Sequence, residues 1–277
     1  FASWGLVVLI SVDVGSETLE EKSIPDLIAD AEQGDVESQW FLGYLYSEGV
    51  RVEEDVQESL RWTKLAAEAG HPRAQYNMAC LYKEGEVVAR NITESLRWLR
   101  LAAQNGLAQA MDAIGYMYDL GKDVEEDDLE AVKWYQAAAQ LGLAEGQGHL
   151  ADMYYFGEGV EEDLETAFLL NQLAAKQGLP RAQFHLGLMY DNGSGVEEDN
   201  ISAVRWYLAA AEQGHAHSHP VGDLLLDDGS GPVGHLGVYL DTLVHRAWVH
   251  DQRVGGQARQ SLAVDLPLLG VFTEAGQ

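Results

Sequence analysis

The chain is 277 residues long and carries 45 acidic against 17 basic side chains, a formal net charge of −28, with 47% apolar residues. The apolar share builds a sizeable core and argues against general disorder. The charge argues against nucleic acid and anionic membranes as partners, whose phosphates would approach through a field of their own sign. Cys80 is the only cysteine, so no intrachain disulfide forms and no cysteine cluster holds zinc or an iron–sulfur centre.

Residues 1–16 open on Phe1 and hold a short apolar run from Leu6 to Ile10, too short to span a bilayer. Two readings stand. A remnant of an export signal lacking its basic start implies a periplasmic or secreted protein, whereas an irregular segment lying over the first repeat leaves the chain cytoplasmic. No later window has the apolar length of a transmembrane helix. Residues 17–33 include IPDLIADAEQ, which reads as a capping half repeat whose Leu27 and Ile28 cover the first stacking face.

From there a period of 36 takes over. Glycines fall at Gly34, Gly70, Gly106, Gly142, Gly178 and Gly214, and a second series at Gly49, Gly85, Gly121, Gly157, Gly193 and Gly229. Tyr46, Tyr82, Tyr118, Tyr154 and Tyr190 keep the same step, as do Val52, Val88, Val124, Val160 and Val196. Five whole units result, at 34–69, 70–105, 106–141, 142–177 and 178–213, followed by a partial sixth at 214–229.

Each unit reads as two helices. In the first, small residues at Gly43, Ala79, Gly115, Ala151 and Gly187 mark points of close backbone approach. Larger ones such as Leu42 and Leu45 share a face at helical spacing. The glycine after the Tyr suits a left-handed stop. Asp55, Asn91, Asp127, Asp163 and Asp199 then have N-cap chemistry for the second helix, and Glu58, Glu94 and Glu130 complete a capping box in three units. Trp62, Trp98, Trp134 and Trp206 act as plugs in that helix, with Leu170 in the fourth unit leaving it the least tightly filled. Truncating a buried Trp costs about 3–5 kcal/mol.

The motifs AQYNMACLYKEG, AEGQGHLADMYYFGEGVEED and AQFHLGLMYDNGSGVEEDNISAVRWYLAAAEQG resemble the Sel1-like repeat family, relatives of tetratricopeptide repeats with a longer loop between their helices. The resemblance covers residues 34–213. It implies an all-α fold, a right-handed alpha/alpha superhelix with a concave surface, used as an adaptor that brings proteins together, often in bacterial envelopes, signalling or host interaction. Some exported relatives staple each helix pair with a disulfide; Cys80 has no partner here, which sets this chain apart from them.

Beyond Gly229 the repeat chemistry stops, and residues 230–277 read as a divergent C-terminal cap or a poorly ordered tail. His215, His217 and His219 alternate before Pro220, either as a solvated connector or as a soft metal site. His149 and His185, one period apart on first helices, either border the groove or pack against a neighbour. The EED runs at residues 53–55, 125–127, 161–163 and 197–199 read first as helix caps on a solvated edge, with calcium or basic-protein binding as the alternative; they lack EF-hand spacing.

No GxxxxGK[ST], HExxH or GxSxG motif occurs, so no catalytic, cofactor or metal residues are assigned. The expected site is the groove. Gln39, Trp40, Gln75, Tyr76, Gln147, Gln183 and Phe184 are read as facing solvent on the first helices, with aromatic rings for packing and amides for backbone hydrogen bonds. The expected function is a non-catalytic scaffold or adaptor for a basic or mixed-charge protein segment, with oligomeric state left open. The alternative is a cell-envelope enzyme or accessory factor acting on peptidoglycan-like substrates.

Overall fold

The structure is a computed structural model and describes residues 18–213. The expected export-signal remnant at 1–16, the partial sixth repeat at 214–229, the cap or tail at 230–277 and the His215, His217, His219 run lie outside the described residues. Eleven helices occur among those described: α1 Ile24–Glu32, α2 Val36–Glu48, α3 Val56–Glu68, α4 Pro72–Glu84, α5 Ile92–Gln104, α6 Ala108–Asp119, α7 Asp128–Gln140, α8 Ala144–Phe156, α9 Leu164–Lys176, α10 Pro180–Asn192 and α11 Asn200–Glu212. First helices of successive repeats start 36 residues apart, and the fold is an all-α solenoid of paired helices. None of the helices is long and apolar enough to cross a membrane.

Two compact units share these residues. The first runs to Gly146 and takes in Glu158–Val160; the second holds Gln147–Gly157 and Glu161 onward. In the first, α2 packs on α3, α4 on α5 and α6 on α7, while α1 packs on α2, α3 on α4 and α5 on α6. In the second, α10 packs on both α9 and α11. The first core is built from Leu42, Met78 and Ile114 on first helices and from alanine pairs such as Ala66–Ala67 and Ala102–Ala103 on second helices. Leu27 and Ala31 of α1 are buried with them, so α1 covers the leading face of α2.

The loop inside each repeat is closed by backbone. Gly49, Gly85 and Gly193 end α2, α4 and α10 in left-handed conformation, and Gly121 and Gly157 take positive φ at the same place. Six residues on, the N–H of each cap residue returns to the Tyr carbonyl: Asp55 to Tyr46 at 3.0 Å, Asn91 to Tyr82 at 2.8 Å, Asp127 to Tyr118 at 3.0 Å, Asp163 to Tyr154 at 2.9 Å and Asp199 to Tyr190 at 2.9 Å. The cap side chains accept from the first turn of the second helix in all five repeats. Hydrogen bonds from Thr166 and from Ser202 hold the Asp163 and Asp199 carboxyls below the ordinary range; at Asp199 they overcome a larger opposing effect of burial. The expected capping boxes are only half formed. Because the cap N–H is already given to Tyr, Glu58, Glu94 and Glu130 turn outward to Arg61, Arg97 and Lys133.

The small positions are contact points, as their spacing implies. A Cβ on Gly43 would meet Thr63 Oγ1 at 2.5 Å, and one on Gly115 or Gly187 would meet the ring of Tyr135 or Tyr207 at 2.7 Å. Ser59 and Ser95 donate across the same seam to the carbonyls of Gly43 and Ala79, at 2.8 Å each. The plug is not always tryptophan. Trp62 and Trp98 are buried, whereas Trp134 and Trp206 are half-buried and the neighbouring Tyr135 and Tyr207 fill the interior instead. Arg61 and Arg97 cover their tryptophans with guanidinium groups 4.6 and 4.3 Å from the ring centres. In the fourth repeat Leu170 is half-buried, and Phe168 supplies the buried ring, edge-on to Tyr190 at 5.2 Å.

Candidate functional site

The glutamines expected to face solvent are buried, and their amides stitch the repeats together. Gln39 donates to Ala31 O at 2.9 Å, Gln75 to Ala67 O at 3.1 Å and Gln183 to Ala175 O at 3.3 Å, each reaching back to the second helix before it. Their own amide oxygens accept from the residue that ends the following second helix: Asn105 donates to Gln75 at 2.9 Å, Gln177 to Gln147 at 2.8 Å and Gln213 to Gln183 at 2.8 Å. The carbonyls of Ala31, Ala67 and Ala175, which already accept from the N–H of Gly34, Gly70 and Gly178, take a second hydrogen bond this way, so these amides are spent on the fold. The third repeat replaces the pair with Met111 and Leu141. In the first, Ala69 stands at the amide position, and Gln39 Oε1 is buried without a partner.

Trp40 is also buried rather than groove-facing. Its ring stacks on His71 with centroids 4.9 Å apart and planes at 18°, and the Arg73 guanidinium lies 5.5 Å from the ring centre. His71 Nδ1 accepts from the Ala74 N–H at 3.2 Å, capping α4, and Nε2 lies 3.4 Å from Glu37 Oε2. Burial, which outweighs the opposing pull of Glu37, lowers the pKa of this imidazole.

The remaining two residues, Tyr76 and Phe184, are half-buried on α4 and α10. Tyr76 sits beside Cys80, and burial raises both hydroxyl and thiol, the thiol to about 11, leaving an unreactive cysteine. Four and 40 residues from Trp40 and Tyr76 the same faces carry Tyr44 and Tyr116; Tyr44 is half-buried and Tyr116 is 44% exposed. In the second unit Phe184 packs on Tyr207 at 5.4 Å. Beside it Asp152 of α8 bridges Arg181 and His185, with His185 Nδ1 3.1 Å from the carboxylate. Burial first, then the Arg181 charge, pushes His185 down to about 4, so the ring is neutral near pH 7. His185 thus packs against the neighbouring first helix, α8.

Chemically this surface offers aromatic rings, arginines and scattered carboxylates. Among the described residues no three His, Cys, Asp or Glu side chains gather as a metal site. A cleft of about 350 Å³ opens between second helices, lined by Ala67, Glu68, Gln75, Arg97, Trp98 and Leu101. The residues missed by the groove reading, Tyr44 and Tyr116, had a signal in the sequence: they repeat the four-residue helical step from Trp40 and from Asp112.

The Sel1 repeat family matches five consecutive stretches, 36–71, 72–107, 108–143, 144–179 and 180–215, in the phase of the observed helix pairs. No curated protein matches the chain. Among solved structures, a protective antigen of uropathogenic Escherichia coli strains displaying an SLR fold is 32% identical with a TM-score of 0.66; the match covers 83% of this chain but 52% of that one. This chain therefore spans about half the length of the antigen. A Sel1 repeat protein from Oxalobacter formigenes is 31% identical, also with a TM-score of 0.66, over 77% of this chain and 89% of that chain. Folds of this class generally act as protein–protein interaction scaffolds, and the helix pairing, the repeat phase and these likenesses agree: this chain belongs to the Sel1 repeat family.

Proposed function

We propose that the chain is a non-catalytic adaptor that holds a basic or mixed-charge protein segment against the groove face of its first helices. What supports this reading is the set of partly open rings at Tyr44, Tyr76 and Tyr116 on α2, α4 and α6, of which the first two helices already donate their Gln39 and Gln75 amides within the fold. Such rings supply contact area at small entropic cost. The surrounding chain is acidic, with 38 of the 45 carboxylates in the first 214 residues. That field hastens encounter with a basic partner and weakens as salt rises.

Trp40 is buried and replacing it would damage the core, so Tyr44→Ala and Tyr116→Ala are the informative variants. With a partner captured by the full chain and then purified, the double variant binds at least about ten-fold more weakly, a typical loss for interface aromatics. Unchanged affinity with a folded double variant would refute the groove assignment.

A further inference from the structure

We propose that His71 is an acid-sensitive latch that fastens the first turn of α4 to Trp40 of α2 and releases both when Nδ1 takes up a proton. The backbone around it is pinned. The His71 N–H donates to Ala66 O at 2.9 Å, and its carbonyl accepts from the Gln75 N–H at 3.0 Å, so the ring is the adjustable part. In the neutral ring Nδ1 is the acceptor for the Ala74 N–H, and the lone ring proton therefore sits on Nε2, facing Glu37. A second proton can enter only at Nδ1. There it turns the cap acceptor into a donor pointed at another donor, which breaks the cap hydrogen bond.

The charges facing the ring set the direction of movement. Glu37 from α2 attracts the imidazolium at Nε2, Arg73 from α4 repels it, and on α3 the last-turn Lys64 and Glu68 pair with each other at 3.8 Å. The protonated ring is drawn outward to Glu37, which is the more exposed partner, and away from the stack on Trp40. The release stays local. Leu107 and Leu179 occupy the same place before α6 and α10, supply no side-chain cap, and those helices form nonetheless. In the first repeat Asp35 caps α2 at this position with a carboxylate, so among the described residues the imidazole device belongs to the second repeat.

Amide exchange on the full chain by NMR from pH 7.5 to 4.5 tests this. After correction for intrinsic rates, protection of the Ala74 amide falls about five-fold or more, the equilibrium worth of an N-cap, while Met78 in mid-helix holds. The variant His71→Asn, which retains an Asx cap, abolishes the fall. Constant Ala74 protection across the range overturns the proposal. An undiminished fall in His71→Asn overturns it equally, because the proton then acts elsewhere.

Discussion

Ala69→Asn should stabilise the protein, because it completes the one amide pair that the first repeat leaves open. Gln39 Oε1 is buried without a donor, whereas the equivalent oxygen of Gln75 is served by Asn105 at 2.9 Å. The two positions have matching backbones, φ −76 and ψ −2 at Ala69 against φ −85 and ψ 14 at Asn105, so the asparagine enters without strain. A buried orphan acceptor costs about 1–3 kcal/mol, and ordering a new side chain returns part of that gain. A net stabilisation of about 1 kcal/mol follows, a five-fold shift in the folded-to-unfolded ratio and about 2–4 °C in Tm for a protein of this size. Urea unfolding of the full chain, in the native background and with Gln39→Met, isolates the pair as a double-mutant cycle. With the amide oxygen gone the benefit must vanish. A gain of equal size in both backgrounds, or none in the first, would refute the pairing argument.

Two further outcomes follow from the same geometry. Gly195→Ala should cost about 3 kcal/mol or more in urea unfolding, because φ is +70 and the new Cβ would strike the Leu164 carbonyl; Gly178→Ala, at φ +91 with nothing within 4 Å, should cost only the backbone penalty of about 1–2 kcal/mol. Acidification should destabilise the second unit: the folded pKa of His185 is depressed to about 4, so the unfolded chain takes up the proton first. Stability is then lost as pH falls from about 6.5 toward 4, at up to about 1.4 kcal/mol per pH unit, and His185→Gln should flatten that slope in urea midpoints measured against pH.

The spacing alone carried the helix pairs, the left-handed glycines and the N-caps, because each depends on one residue type at one place in a turn. The pairing of Gln75, Gln147 and Gln183 depends on a second residue 30 positions later, and reading each glutamine singly hid it. Taken as pairs the sequence is informative: Gln75, Gln147 and Gln183 go with Asn105, Gln177 and Gln213, and Met111 goes with Leu141. The seam between helices has a similar rule 20 residues apart. Glycine accompanies Thr63, Tyr135 and Tyr207, and Ala79 accompanies Leu99; at Gly115 and Gly187 the opposing tyrosine ring leaves no room for a Cβ. Trp134 and Trp206 misled because the next residue was a tyrosine able to reach inward at a glycine. Of the candidate site, the aromatic character of the first helices was legible; which rings stay open was decided by stacking partners such as His71 and Arg73, which only the fold brings near.

The bond from each cap N–H to a tyrosine carbonyl holds the intervening loop without using any side chain of that loop. The second repeat shows the result: Ala89, Arg90 and Asn91 stand where the first carries Glu53, Glu54 and Asp55, yet Asn91 still reaches Tyr82 at 2.8 Å. Shape and charge along this edge are therefore inherited separately. Mutation can rewrite the electrostatic label of the protein, repeat by repeat, while the scaffold that displays it stays the same.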